Sequence, residues 1–186
     1  MTTAAPVPDL VTTTYLHIVG RQGFRPAFVA DPDLAVLHSR LPSVPFYRFL
    51  YAAVGGGYRW VDRLAWSDAD LEAYLARPAV TLLVLYLEGT PVGYVELDRG
   101  PHEAEAGTQI AYFGLVPAVH GRGLGKHLLS VGVNRAFGEG AERVWVHTCT
   151  EDGPYALANY RGRGFVPYRT VVDEGPPTGD SNPYRA

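Results

Sequence analysis

Three glycines within five positions, in the run VHGRGLGKHLL (119–129), constrain this chain more than any other feature. Glycine loses more backbone freedom on folding than any other residue, so closely spaced glycines need a compensating role. The run follows a predicted strand, TQIAYFGLV (108–116), and leads into a helical pattern. The first turn of a helix leaves backbone N–H groups without partners and carries partial positive charge. A glycine-rich turn between a strand and a helix therefore indicates a phosphate-binding loop.

Two widespread phosphate loops fit this run poorly. A Walker loop requires Gly-Lys followed by Ser or Thr, whereas Gly125-Lys126 precedes His127. A dinucleotide fingerprint spaces its glycines G-x-G-x-x-G early in the chain, whereas this run reads G-x-G-x-G after most of the predicted strands. The glycines alone leave two interpretations open. The run is either an anion-binding loop flanked by Arg122 and Lys126 or a tight turn that binds nothing.

The remaining patterns predict the order of the secondary structure elements. Strands are predicted from β-branched and aromatic runs, and helices from apolar spacing and capping residues. The predicted strands are 11–19, 80–87, 91–99, 108–116, 143–149 and 165–172, and the predicted helices lie within 34–54, between Ser67 and Pro78, from 124 to Phe137 and over 154–164. This order predicts one α/β (α+β) domain over 11–172, with a mixed sheet between two layers of helices. A flexible N-terminus (1–10) and a flexible Pro/Gly-rich tail (173–186) are expected to flank it.

Composition excludes several classes of function. The net charge is −3 and the arginines are scattered, which argues against nucleic acid as a partner. No apolar run approaches eighteen residues and the first residues do not resemble a signal peptide, so we expect a cytoplasmic protein without a membrane span. The single cysteine, Cys149, lies in an apolar strand and is interpreted as a core residue rather than a thiol nucleophile. The six histidines show no metal-ligand spacing, so no metal is expected.

Two segments together resemble a known family. YFGLVPAVHGRGLGKHLL (112–129) resembles the acyl-CoA-binding core of the GCN5-related N-acetyltransferase (GNAT) superfamily, and ALANYRGRGF (156–165) is similar to a second segment of that family. The resemblance covers residues 80–170 well. It implies a GNAT-like fold, with a mostly antiparallel sheet that splays open to admit acyl-CoA. It also implies acetyl-CoA as the co-substrate and direct attack by an amine in a ternary complex.

The resemblance implies where acetyl-CoA binds. Main-chain groups at the end of the strand are expected to polarise the thioester carbonyl, and the glycine loop is expected to hold the pyrophosphate. The implied residues are Phe113, Gly114, Leu115 and Val116 in the strand and His120, Gly121, Arg122, Gly123, Leu124, Gly125 and Lys126 in the loop. His120 departs from the family, which usually has Gln or Arg there. A histidine is largely neutral at pH 7, so one donor to the pyrophosphate is lost unless Arg122 compensates.

Two side chains are the catalytic candidates. Tyr160 stands where many family members place a tyrosine near the CoA sulfur, which implies a general acid; the alternative is an aromatic side chain that packs on the core. Glu96 lies in the middle of a strand, where burying an unpaired carboxylate is costly. Either it pairs with an arginine or it faces a wet cleft and acts as the base. Asp98 and His147 are weaker alternatives as bases.

The acceptor is expected to bind the region 45–66, as it does in relatives. This region is rich in aromatic residues around the glycines at 55–57. The candidates for substrate binding are Tyr47, Tyr51, Tyr58 and Trp60. Their side chains could form a cleft for an apolar or cationic small molecule, or they could be the core beneath two short helices.

The sequence therefore predicts an acetyl-CoA-dependent N-acetyltransferase that acts on the primary amine of a small molecule. Three alternatives stay open: acetylation of a protein N-terminus or lysine, a non-catalytic acyl-CoA-binding module, and a glycine turn with only a structural role. Family members are often dimers, so a homodimer is compatible with the resemblance. No sequence feature identifies the acceptor.

Overall fold

A computed structural model of the chain describes residues 10–58, 60–100 and 105–174. Seven β-strands and four α-helices form its main elements. In chain order they are β1 (Leu10–Val19), β2 (Leu34–His38), α1 (Val44–Gly55), α2 (Asp68–Leu75), β3 (Val80–Leu87), β4 (Thr90–Asp98), β5 (Thr108–Leu115), α3 (Leu124–Gly138), β6 (Arg143–Cys149), α4 (Ala156–Gly162) and β7 (Val166–Glu174). Most of the predicted tail and most of the predicted N-terminal segment lie outside the described residues, whereas Asp173 and Glu174 belong to β7.

The strands form one sheet in the order β2-β3-β4-β5-β6-β1-β7. All neighbours are antiparallel except β5 and β6, which run parallel. This confirms the expected mixed, mostly antiparallel sheet. The parallel pairing covers two positions, Thr108 opposite Val144 and Gln109 opposite Trp145. Beyond them β5 and β6 diverge, and the sheet opens between their carboxyl ends.

The first strand of the chain occupies an interior position in the sheet. β1 lies between β6 and β7 and pairs antiparallel with both. On the β6 side the register runs from Thr13 opposite Cys149 to Val19 opposite Arg143. On the β7 side it contains a bulge at Tyr15 and Leu16. The N-terminal segment thus supplies one of the two strands that lie beyond β6 in the sheet.

The helices cover both faces of the sheet, as predicted. Because side chains alternate along a strand, Leu83 and Leu85 of β3 pack on the face that carries α3, whereas Leu82 and Val84 pack on the face that carries α1 and α2. Two hydrophobic clusters result, one on each face. None of the helices among the described residues is long and apolar enough to cross a membrane.

Within 34–54 the helical spacing covers Phe46 to Val54, and the structure has its helix there. Residues 34–38 form the edge strand β2, paired with β3, and helix α1 begins only at Val44. Ser43 caps this helix, because its hydroxyl accepts a hydrogen bond from the Phe46 N–H at 3.4 Å. Pro45 falls in the first turn, where a missing N–H costs nothing.

The start of α2 and the turn between β3 and β4 both follow from local chemistry. The Ser67 hydroxyl accepts a hydrogen bond from the Asp70 N–H at 3.1 Å and starts α2. The turn between β3 and β4 places Glu88 at φ 49° and Gly89 at φ 78°. Two successive residues with positive φ make the type of two-residue turn that matches the twist of a hairpin.

Candidate active site

The open edge between β5 and β6 exposes a defined set of main-chain groups. The Val116 N–H donates to the Val92 carbonyl of β4 at 2.9 Å. In an antiparallel strand the main-chain groups of alternate residues point to the same side, so those of Gly114 also face β4. The groups of Phe113 and Leu115 therefore face the opening towards β6. Of the four residues expected to polarise the thioester carbonyl, these two have main-chain N–H groups on the open side.

The glycine loop has the geometry of an anion cradle. Gly121 and Gly123 adopt φ values of 77° and 76°, which side chains disfavour. Gly123 is the N-cap residue of α3, and no side chain caps the helix there. The N–H groups of the first turn of α3 therefore lack a capping acceptor and are suited to a phosphate oxygen. The side chains of Arg122 and Lys126 are exposed beside them.

His120 has a structural role at the start of this loop. Its Nε2–H donates to the Leu115 carbonyl at 3.0 Å. A carbonyl oxygen only accepts, so this bond fixes the proton on Nε2. The ring thereby ties the loop to the end of β5. This bond accounts for the histidine at a position where the family usually has a pyrophosphate donor.

Tyr160 brings the second motif to the same place. Its side chain is buried, and its ring centroid lies 5.9 Å from that of Phe113 and 5.7 Å from that of Phe165. Burial, reinforced by the nearby Asp152 carboxylate, raises the pKa of the Tyr160 phenol, so it stays protonated at neutral pH. Helix α4 ends at Gly162, and Gly164, two residues later, adopts φ 98°. The structure thus places Tyr160 against β5, beside the open edge.

Gly125 allows the two motifs to approach each other. A Cβ added to it would lie 3.5 Å from the Asn159 amide nitrogen of α4 and 4.0 Å from the Phe113 ring. The start of α3, helix α4 and the end of β5 therefore meet at one point. The two segments of the family resemblance are adjacent in space.

Glu96 is buried completely and has three polar partners. The hydroxyls of Tyr47 and Tyr74 each donate to its carboxylate at 2.6 Å, and Arg63 Nη2 lies 3.3 Å from Oε1. Burial, reinforced by the Glu96 carboxylate, raises the pKa of both tyrosines, so both hydroxyls remain donors. Of the two interpretations of this residue, the structure shows the arginine-paired one. A substrate amine has no direct access to this carboxylate.

The Arg63–Glu96 ion pair also orders the segment between α1 and α2. The Arg63 guanidinium lies 3.9 Å from the ring centroid of Trp66 and 4.3 Å from that of Tyr74. Next to it, the Tyr112 hydroxyl of β5 donates to the Asp62 carboxylate at 3.2 Å. Both β4 and β5 therefore hold this segment beside the opening.

The four predicted substrate residues divide into two pairs. Tyr47 and Tyr51 are buried between α1 and the sheet, so they form core and do not line a cleft. Tyr58 and Trp60 are half-buried. The Tyr58 hydroxyl lies 2.9 Å from the position of a Cβ added to Gly153, in the loop after β6. Tyr58 thus reaches from the α1 side to the β6 side of the sheet.

The three remaining candidates differ in accessibility. Asp98 is buried and pairs with Arg77 through both carboxylate oxygens, at 3.1 and 3.2 Å, so it has a structural role. Cys149 is half-buried, and burial raises the pKa of its thiol, which disfavours the thiolate. His147 is exposed on β6. Among the described residues, no three His, Cys, Asp or Glu side chains converge as a metal site.

Comparison with known proteins identifies the family of this chain. Residues 56–165 match the model of the acetyltransferase (GNAT) family. A mycothiol acetyltransferase from Paenarthrobacter aurescens is 30% identical over 155 residues, which are 79% of this chain and 47% of that protein. The chain thus spans about half the length of this curated relative.

Solved structures share the fold at low sequence identity. A GCN5-related N-acetyltransferase from Kribbella flavida superposes with a TM-score of 0.62 at 20% identity, over 90% of this chain and 59% of that one. An aminoglycoside acetyltransferase from an uncultured soil metagenomic sample, solved with trehalose, superposes with a TM-score of 0.59 at 19% identity, over 72% and 88%. The same aminoglycoside acetyltransferase has also been solved with sisomicin.

Proposed function

Because the chain belongs to the acetyltransferase (GNAT) family, we propose that it transfers an acetyl group from acetyl-CoA to the primary amine of a small molecule. The observation that carries this proposal is the meeting of three features at the open edge of the sheet. These are the main-chain groups of Phe113 and Leu115, the uncapped start of α3 and the Tyr160 phenol.

The glycine loop suits the pyrophosphate of CoA. Four or five charge-assisted hydrogen bonds from its N–H groups, at about 1.5–3 kcal/mol each, would offset the cost of ordering the glycines. A Cβ added to Gly121 would meet no heavy atom within 4 Å, so the main chain is open to a ligand there. Arg122 and Lys126 add positive charge beside the loop. The pantetheine arm would then run from the start of α3 into the opening between β5 and β6.

The chemistry requires two protons to leave the ammonium group of the acceptor. The amine nitrogen attacks the thioester carbonyl carbon, a C–N bond forms and the C–S bond breaks. Main-chain N–H groups of Phe113 and Leu115 stabilise the oxygen on which negative charge develops. Tyr160 donates its proton to the departing thiolate. The raised pKa of the phenol keeps this proton in place at neutral pH.

A small cationic acceptor fits the entrance better than an anionic one. The exposed Asp62 carboxylate accepts from Tyr112 of β5, and the half-buried Asp152 carboxylate accepts from the Cys149 N–H of β6, so one carboxylate lies on each side of the opening. The half-buried rings of Tyr58 and Trp60 offer aromatic faces to a cation. The mycothiol and aminoglycoside acetyltransferases among the relatives support a small-molecule acceptor.

A panel of amines tests the proposal. The purified protein is incubated with acetyl-CoA and, in turn, with sisomicin, spermidine, glucosamine, and peptides with a free N-terminus or a lysine, and release of CoA is followed. We expect release with at least one small amine and none with the peptides. Release with peptides alone would favour a protein acetyltransferase. A rise in melting temperature with acetyl-CoA, without turnover of any amine, would favour the non-catalytic module.

A further inference from the structure

The proposed reaction needs a proton acceptor that the buried carboxylate does not provide. Glu96 is fully buried, and two tyrosines and an arginine already occupy its oxygens. An ammonium group can lose its proton only to a group that it can reach, directly or through one water molecule. We therefore expect the base to be an accessible side chain at the open edge.

His147 is accessible at that edge and lies on the side of the acceptor. It follows Trp145, the last residue of β6 that pairs with β5, by two positions. Val144 and Val146 point into the cluster that includes α3, so alternation turns His147 to the opposite face, which carries α1 and α2. Its side chain is exposed, unlike those of its neighbours on β6.

Charged and aromatic groups from four segments act on the imidazole. The Tyr15 ring of β1 lies with its centroid 5.6 Å from that of the imidazole. Asp152 follows β6, Asp62 comes from the segment between α1 and α2, and Arg169 comes from β7; all three act on His147 electrostatically. The two carboxylates attract an ammonium group to this position, against the repulsion of Arg169.

The environment of the imidazole favours its neutral form. Solvent reaches the side chain, yet the surrounding protein lowers its pKa by desolvation, which outweighs the opposing effect of Asp152 and Asp62. At neutral pH such an imidazole is unprotonated, as a base must be.

On this geometry we propose that His147 is the general base of the acetyl transfer. Its imidazole takes one proton from the ammonium group of the acceptor, and the resulting neutral amine attacks the thioester. Tyr160 gives its proton to the thiolate and recovers the second amine proton as the tetrahedral intermediate collapses. The imidazolium then releases its proton to solvent. The products are the acetamide, CoA with a free thiol, and one proton.

This inference rests on the proposed function, and the pH dependence of a variant separates the two. His147→Gln is compared with the wild type in kcat for sisomicin, spermidine or glucosamine, whichever is turned over, between about pH 6 and pH 10. We expect the kcat of the variant to be about 100-fold lower than that of the wild type at neutral pH. The difference should disappear at higher pH, where the acceptor amine loses its proton without a base. The dissociation constant for acetyl-CoA should not change.

Each outcome decides the inference. A constant ratio of the two kcat values across the pH range would mean a structural role and overturn the proposal, as would an unchanged kcat. His17→Gln is the matched control. His17 lies on β1, on the same face of the sheet as His147, and its ring centroid is 4.5 Å from that of Tyr168. That control should keep the wild-type profile. If the wild type itself turns over none of the amines, the proposed function fails and the assignment of His147 fails with it.

Discussion

Arg63 and Glu96 form an ion pair inside the protein, with Nη2 3.3 Å from Oε1 and 12% and 0% of their side chains exposed. Each charge is costly to bury alone, and the pair is retained because the Tyr47 and Tyr74 hydroxyls satisfy the remaining lone pairs. The pair connects β4 to the segment between α1 and α2, which borders the acceptor side. Its main consequence is for stability, and the reaction depends on it only indirectly.

We predict that Glu96→Gln destabilises the protein by about 3 kcal/mol, because it leaves the Arg63 charge buried without a counter-ion. Urea denaturation measures this change. The double variant with Arg63→Met should recover much of the loss, since it removes the orphaned charge as well. In the folded fraction of the Glu96→Gln variant, the pH profile of kcat should keep its wild-type shape. A profile that loses its pH dependence would instead identify Glu96 as the base.

Replacing Gly123 by Val should weaken acetyl-CoA binding at least tenfold. The residue adopts φ 76°, and a Cβ there would lie 3.1 Å from the Lys126 side chain at the start of α3. A β-branched residue in this conformation costs about 1–3 kcal/mol and displaces the N–H groups that would bind phosphate. Calorimetric titration with acetyl-CoA measures the affinity.

Gly140→Val is the control for backbone strain alone. Gly140 adopts φ 89° after the other end of α3, and a Cβ there would have no heavy atom within 4 Å. This variant should lose comparable stability and keep its affinity for acetyl-CoA. Equal affinity in both variants would contradict the phosphate-loop assignment.

Features that depend on neighbouring residues could be predicted from the sequence. The conformation of Gly121, the hairpin turn at Glu88 and Gly89 and the Ser67 cap all follow from local chemistry. The closeness of the glycine loop and Tyr160 in space was implied by the two motifs of the family resemblance. Each of these features leaves a signal within about ten residues of sequence.

Features that depend on distant pairing could not be predicted in this way. β1 lies between β6 and β7, a placement that its own apolar alternation does not specify. β2 is a five-residue edge strand with Ala35 and Leu37 exposed, so its pattern is too short to distinguish it from the helix that follows. The partner of Glu96 is Arg63, 33 residues earlier, and no spacing rule connects them.

Tyr160→Phe should lower kcat about 100-fold and leave the dissociation constant for acetyl-CoA unchanged. The substitution keeps the ring that packs on Phe113 and Phe165, so the fold should keep its melting temperature within a few degrees. Because burial raises the pKa of the wild-type phenol, kcat should not fall through ionisation of Tyr160 at about pH 10, the ordinary range of tyrosine. An unchanged kcat in the variant would show that the tyrosine only packs.

The folded protein should lose stability as the pH falls below about 6.5, where histidines in the unfolded chain begin to bind protons. Burial is the main cause that lowers the pKa values of His17, His38, His127 and His147 in the folded state. Between the ordinary pKa and each lowered one, the unfolded chain binds more protons than the folded chain, so acid favours unfolding. Denaturant titrations at about pH 7.5 and pH 5.5 measure the loss.

The His147→Gln variant assigns part of that acid sensitivity to a single side chain. Glutamine does not titrate, so the difference in unfolding free energy between the two pH values should be smaller in the variant than in the wild type. The remaining slope belongs to the other histidines and to the carboxylates. An identical slope in variant and wild type would mean that the pKa of His147 is the same in the folded and unfolded states. In that case the surrounding protein would not lower the pKa of the imidazole.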